Sequence, residues 1–249
     1  MSSIGKYAFY KCSSLTQVTI PSSVTKIGDT AFFGCSSLTE ITIPSSITSI
    51  GKNMFSGCTS LKQIIIQSSA TSIGNFAFRG CSSLLNINIP PSVTSIGINA
   101  FSGCNRLEQI SIPSFVTMIN DYTLNKCTSL KQISIPPSVV SIGYCAFKEC
   151  SSLTEIIIPS SVTEIKQYAF ERCSSLKQVT IPLSVASIGD HAFNGCSSLI
   201  QFSVQSSKTS LGFSVFDGCS SLKQATLPLS SKDIIFGIPS EACTNIVYI

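Results

Sequence analysis

Twelve cysteines and one histidine, His191, are the side chains of this 249-residue chain best suited to covalent or metal chemistry. A nucleophilic thiol needs a base beside it. His191 lies five residues before Cys196, but one histidine excludes any two-histidine mechanism. His191 reads as an exposed turn residue. Structural zinc needs clustered Cys-x2-Cys or Cys/His spacing, and none occurs. Cys145 and Cys150, five apart, do not make a ligand set. No G-x-G-x-x-G, phosphate loop or G-x-S-x-G element is present. No enzyme, metal or cofactor is expected.

The cysteines carry a different signal. Ten of them, from Cys12 through Cys219, recur at a strict period of 23, and Cys243 follows 24 later. Such self-similarity marks a repeat architecture. Three residues after each of the ten periodic cysteines stands a Leu, from Leu15 to Leu222. Six and eight residues after come β-branched or other apolar residues, such as Ile41 and Ile43 or Val179 and Ile181. This period-two run predicts a short strand with one face buried. A proline such as Pro21, Pro44 or Pro182 then stops the ladder, because it lacks an N–H. A Ser-rich turn, a Val or Ile, and an Ile-Gly pair such as Ile27-Gly28 follow, with the Gly expected to supply a bend through positive φ. Three residues before the next Cys is a Phe, with Leu124 as the exception. The x-x-A-F-x-x-C stretch is too short for an independent helix and predicts one helical or 3-10 turn.

One such unit cannot enclose a core. Stacking units buries the apolar positions in columns and pairs each strand in parallel with the next. The expected fold is α/β: a solenoid of about ten 23-residue repeats, with a parallel sheet on the concave face and short helical or 3-10 turns on the convex face. The whole of 1–249 is read as one domain, regular over 4–228 and degenerate over 229–249, where Ile246–Ile249 predicts a terminal strand. Each periodic Cys is flanked by Phe and Leu and reads as a small buried hydrophobe, giving a column of free thiols.

The pattern L-x-x-I-x-I-P-x-S-V-T-x-I-G-x-x-A-F-x-x-C resembles the 23-residue consensus of the BspA-like, or Treponema pallidum-type, leucine-rich repeats over residues 4 to about 228. The resemblance implies a right-handed leucine-rich-repeat solenoid. It also implies a surface or secreted protein that adheres to host proteins, with no shared catalytic residues.

Repeat units also expose their own departures. The sixth reads Asn120, Thr123 and Leu124 where Gly, Ala and Phe are usual, after Phe115 in a Ser position. A softer rung is expected there. The outward strand positions, five and seven past Cys, form two polar columns. The first includes Gln63, Asn86, Gln109, Gln132, Glu155 and Gln178; the second includes Ile65, Asn88, Ser111, Ser134 and Ile157. These eleven residues are the candidate partner-binding surface. Glu40 and Glu155 share a column five rungs apart, too far for paired-carboxylate glycoside chemistry. Ile65 and Ile157 break the polar column, and Leu85 and Ile200 at four past Cys also read as exposed. Folding explains none of the four. Lys62, Lys131, Lys177 and Lys223 add a sparse basic edge.

Charged residues are 11% of the chain, well below the roughly 25% of ordinary domains. Sixteen Lys and Arg against 12 Asp and Glu give +4, scattered, which does not support nucleic-acid binding. No apolar run approaches a membrane span. The reading is a non-enzymatic module that binds protein partners through its concave face. An intracellular leucine-rich-repeat scaffold or regulatory subunit, for example of a protein phosphatase, is the alternative. No signal peptide, anchor or Asn-x-Ser/Thr sequon is visible, and many free thiols suit a reducing compartment, so localisation stays open between cell surface and cytoplasm. The chain starts in mid-repeat at Ile4-Gly5, and exposed end rungs would offer a route to homo-oligomers.

Overall fold

A computed structural model describes residues 2–67, 70–231 and 245–249. The chain forms a parallel solenoid of about ten turns, here called rungs 1 to 10 after Cys12 to Cys219. Each rung has three sides. The first is the predicted strand, the second a shorter strand at the Ser-Ile pair, and the third the turn before each Cys.

The first side pairs in register across rungs. Glu40–Ile43 pairs with Gln63–Ile66. Asn86–Ile87, Gln109–Ser111 and Gln132–Ser134 form a three-stranded sheet. Gln178–Ile181, Gln201–Val204, Gln224–Leu227 and Asn245–Tyr248 form a four-stranded one. The last strand joins at Gln224↔Asn245, 21 residues on instead of 23. Cys243, read from the sequence as the eleventh anchor, lies outside the described residues. The second side is a run of two-residue strands, including Met118–Ile119, Ser141–Ile142, Glu164–Ile165, Ser187–Ile188 and Ser210–Leu211. Alternation places Ile41, Ile43, Ile64 and Ile66 inside and their neighbours outside. The Cys, Leu and Phe columns are wholly buried from rung 2 on. Phe32, Phe55, Phe78 and Phe101 stack at ring distances of 5.4 to 5.5 Å.

The third side corrects the expectation of helical turns. No helix occurs there; among the described residues the only helical element is the 3-10 turn Leu229–Ser231. The residue five before each Cys takes positive φ, for example Asn53 at 53° and Tyr168 at 58°, and left-handed residues break any helical run. The backbone instead alternates its bonding. Ala31 N–H donates to Gly28 O within the turn, whereas Phe32 N–H donates to Met54 O of the next rung. Thr30 to Lys52 and Gly34 to Ser56 repeat this outward donation. The turn side is thus itself a ladder, and the short helical or 3-10 turns expected there are replaced by hydrogen-bonded backbone.

The Ile-Gly glycine also has a different reason from the one expected. A Cβ on Gly97 would sit 2.5 Å from Asn75 N and 2.7 Å from Gly74 C, and its φ is not left-handed. It is Gly because the previous rung's backbone passes too close. The left-handed glycines are those just before Cys, such as Gly57 at 77°.

The Ser-rich corner is tied to the previous rung by one hydroxyl in several rungs. Ser46, Ser138, Ser161 and Ser184 donate to Val24, Val116, Val139 and Val162 carbonyls at 2.5 to 2.7 Å. The sixth rung, expected to be soft, is held by side chains. Asn120 Nδ2 donates to Ile96 O at 2.7 Å, where glycine rungs use their backbone N–H, and Thr123 Oγ1 donates to Asn120 O at 2.7 Å.

Candidate protein-binding face

Period-two alternation sends residues five and seven past Cys to the outside of the first side. Gln63, Ile65, Asn86, Asn88, Gln109, Ser111, Gln132, Ser134, Glu155, Ile157 and Gln178 are all exposed there. In-register pairing places Gln132 beside Gln109 and Ser134 beside Ser111. Gln132 Nε2 donates to Glu155 Oε1 at 3.2 Å. Lys131 pairs with Glu108 at 2.8 Å, and this lysine holds the exposed Glu108 carboxyl below the ordinary carboxylate range. Leu85 and Ile200 are exposed as read, Ile65 is 48% exposed and Ile157 is 81% exposed.

The face is less uniform than its repeat. Residues 17–20 and 155–158 form no strand, so rungs 1 and 7 drop out of the ladder. Glu155 to Ile158 keep their side-chain alternation without strand pairing on either side. Hollows lie at both openings. One of about 370 Å³ is lined by Gln17, Glu40, Gln63 and Ile65. One of about 620 Å³ is lined by Ile157, Lys177, Gln178, Thr180, Pro182 and Gln205 among others.

The thiols have little nucleophilic character. All eleven described cysteines are free; ten are buried and Cys12 is exposed. Burial pushes the Cys104 and Cys150 thiols up to about 12, and Cys81 and Cys173 well above their ordinary value. A thiolate is the reactive form, and these thiols stay protonated at neutral pH. Among the described residues no group of three or more His, Cys, Asp and Glu side chains converges as metal ligands would.

His191 corrects its sequence reading. It is half-buried and stacks on Tyr168 at 4.9 Å, with 10° between the rings. Tyr168 meets Tyr144, and Tyr144 meets Tyr122, at 5.5 and 5.2 Å. The partners come from successive rungs, and Tyr122, Tyr168 and His191 share the left-handed turn position with Cys145. Aligning that column of the repeat would have found three of the four, with Tyr144 one position earlier in its rung. Beside it, Lys148 and Glu171 form an ion pair at 2.6 Å with Lys148 over the Tyr168 ring.

The model of the BspA type leucine-rich repeat region matches residues 2–131 and 117–238, in six copies. The chain belongs to the BspA-type leucine-rich repeat family. None of the curated proteins matches it. Among solved structures, a leucine-rich cell surface protein of Faecalibacterium prausnitzii is 32% identical, with a TM-score of 0.61, over 99% of this chain and 69% of that one. The T. pallidum leucine-rich repeat protein is 33% identical, with a TM-score of 0.58, over 61% of this chain and 72% of that one. A leucine-rich repeat protein from Bacteroides ovatus is 28% identical, with a TM-score of 0.51, over 99% and 87%. This BspA-type chain shares their parallel solenoid, and binding of protein partners is typical of such repeats. Among its described residues no helix is long and apolar enough to cross a membrane.

Proposed function

We propose that this BspA-type solenoid is a non-enzymatic protein-binding module that works at a cell surface through its strand face. The observation that carries the reading is Ile157, 81% exposed in a column that is polar in every rung but its own and that of Ile65. Solenoids use such long repeated faces for partners. The F. prausnitzii relative, described as a cell surface protein, supports the surface assignment.

The test is the double variant Ile157→Asp, Gln132→Arg, assayed against a panel of immobilised extracellular-matrix proteins. Binding by the native chain should fall at least tenfold in the variant, with the thermal melt unchanged. Equal binding by the two proteins refutes the face.

The intracellular scaffold reading is favoured by one observation, the run of free thiols. Because ten of the eleven described thiols are buried, they are also shielded from oxidants, so they fit either compartment. Biotinylation of intact cells decides: labelling while cytosolic controls stay protected supports the surface, and protection until lysis supports the scaffold.

A further inference from the structure

We propose that two copies of this chain pair back to back through their turn sides, antiparallel, about a twofold axis that crosses the rung-5 turn at Ile98. The side chains six before Cys stand on the outside of that turn, exposed or half-buried in every rung. From Lys52 to Asp190 the carbonyl of each member accepts an N–H of the rung before at 2.8 to 3.1 Å. The column is therefore evenly spaced, at about 4.8 Å per rung. Sister rungs show what folding asks of it. Asp29, Asn75, Asp121 and Asp190 accept the amide of the next member through Oδ1 at 2.8 to 2.9 Å. The side chain of Ile98 can make no such bond, and it is 38% exposed.

A twofold interface needs a patch complementary to itself. An axis at rung 5 sets each rung against the one equally far on the other side, rung 4 on rung 6 and rung 1 on rung 9. Ile98 then meets its own counterpart. Outward from it, Asn75 meets Asp121, an amide against a carboxylate. Lys52 meets Tyr144, a cation against a ring. Asp29 meets Gln167, and Lys6 meets Asp190 as an opposite charge. No like charges face each other in this column. An axis one rung earlier would set Asp29 against Asp121, and one rung later would set Asp121 against itself.

A second column selects the same axis. Just before Cys, Lys11, Lys126, Glu149 and Arg172 stand among glycines, and rung-5 symmetry places them opposite Gly195, Gly80, Gly57 and Gly34 in that order. Every long side chain of that column in rungs 1 to 9 thus finds a gap. Five before Cys, Phe76 faces Tyr122 and Tyr7 faces His191, both aromatic pairs. Charge, size and the lone isoleucine agree on one centre, which makes a second copy the occupant of this wall. The strand face lies on another side of the rung and stays open. The dimer therefore presents it twice, and linked sites gain avidity.

Cysteine trapping tests the axis, in the full chain carrying Cys12→Ser and Cys243→Ser. Only a residue on the axis meets its own copy, so Ile98→Cys should form a disulfide-linked dimer on mild oxidation. Asn75→Cys and Asp121→Cys lie one rung off, about 9–10 Å from their own counterparts and beyond disulfide reach, and should stay unlinked. Carbodiimide coupling of the native chain should join Lys6 to Asp190. Those residues lie eight rungs, roughly 38 Å, apart within one copy, so the link reports a second one. Sedimentation should show a dimer at high micromolar concentration, and Ile98→Glu should weaken it at least tenfold with the thermal melt unchanged. A monomer at every concentration overturns the proposal. So does trapping at Asn75→Cys or Asp121→Cys in preference to Ile98→Cys, or a dimer that Ile98→Glu leaves intact.

Discussion

The Cys104 thiol donates to the carbonyl oxygen of Phe78, 26 residues earlier, at 3.3 Å. The same bond recurs from Cys58 to Phe32, Cys81 to Phe55, Cys127 to Phe101 and onward to Cys219 and Phe193. The periodic residue must be small, apolar and able to donate one hydrogen bond, and cysteine meets all three conditions.

Cys104→Ala removes the sulfur and its donor together, leaving a small void and Phe78 O short of one partner in a dry interior. A loss of about 1–2 kcal/mol is expected in denaturant unfolding. An unchanged midpoint would show that neither the bond nor the sulfur's packing contributes to stability.

The thiols should also be chemically silent in the native state. Titration with a thiol reagent should detect Cys12 and few others until denaturant is added, and then all 12 without reductant. A shortfall in denaturant would mean disulfides.

Alkali should unfold the protein steeply. The buried thiols of Cys58, Cys104, Cys150 and Cys219 have their pKa raised from 9.0 to about 12, burial being the main cause. The unfolded chain therefore releases these protons first. Stability is intact below about pH 9 and falls between pH 9 and 12, by about 1.4 kcal/mol per pH unit for each thiol. Thermal melts at pH 7.5 and 10 check this, and equal melting temperatures would contradict it.

Phe101→Ala should cost about 3–5 kcal/mol. Its ring is fully buried and stacks on Phe78 on one side only, because Leu124 follows in the column. An unchanged melt would contradict its burial.

A pair of glycines tests rung spacing. Gly97→Ala places a methyl 2.5 Å from Asn75 N and should lower the denaturation midpoint markedly. Gly5→Ala meets nothing within 4 Å and should stay within about 0.5 kcal/mol of the parent.

Much of this was legible in the sequence because the repeat is written in side chains. The spacing of Cys35, Leu38, Ile41 and Ile43 marks the buried columns, and alternation places Gln109 and Ser111 outside. The turn ladder was not legible, because backbone N–H direction leaves no mark in residue type: Asn, Tyr and His all occupy the same left-handed position. The opening at 155–158 was hidden as well, since Glu155-Ile156-Ile157-Ile158 has the same alternation as Gln63-Ile64-Ile65-Ile66, which does form a strand. What separates them lies in contacts between rungs.

On the turn side the amides that bond from rung to rung face one way. From Phe9 N–H to Ala31 O through to Gly195 N–H to Asp217 O, the earlier rung donates and the later rung accepts. Peptide dipoles aligned in this manner add, as they do along a helix axis. The stack therefore has an electrical head and tail, with carbonyl oxygens facing outward at rung 1 and amide hydrogens pointing toward the later rungs. Lys6 and Lys11 lie on the first rung, and Asp190 and Asp217 on the turns of rungs 9 and 10. Each charge sits at the pole of opposite sign, so exchanging early and late rungs would set both pairs against the field of the backbone.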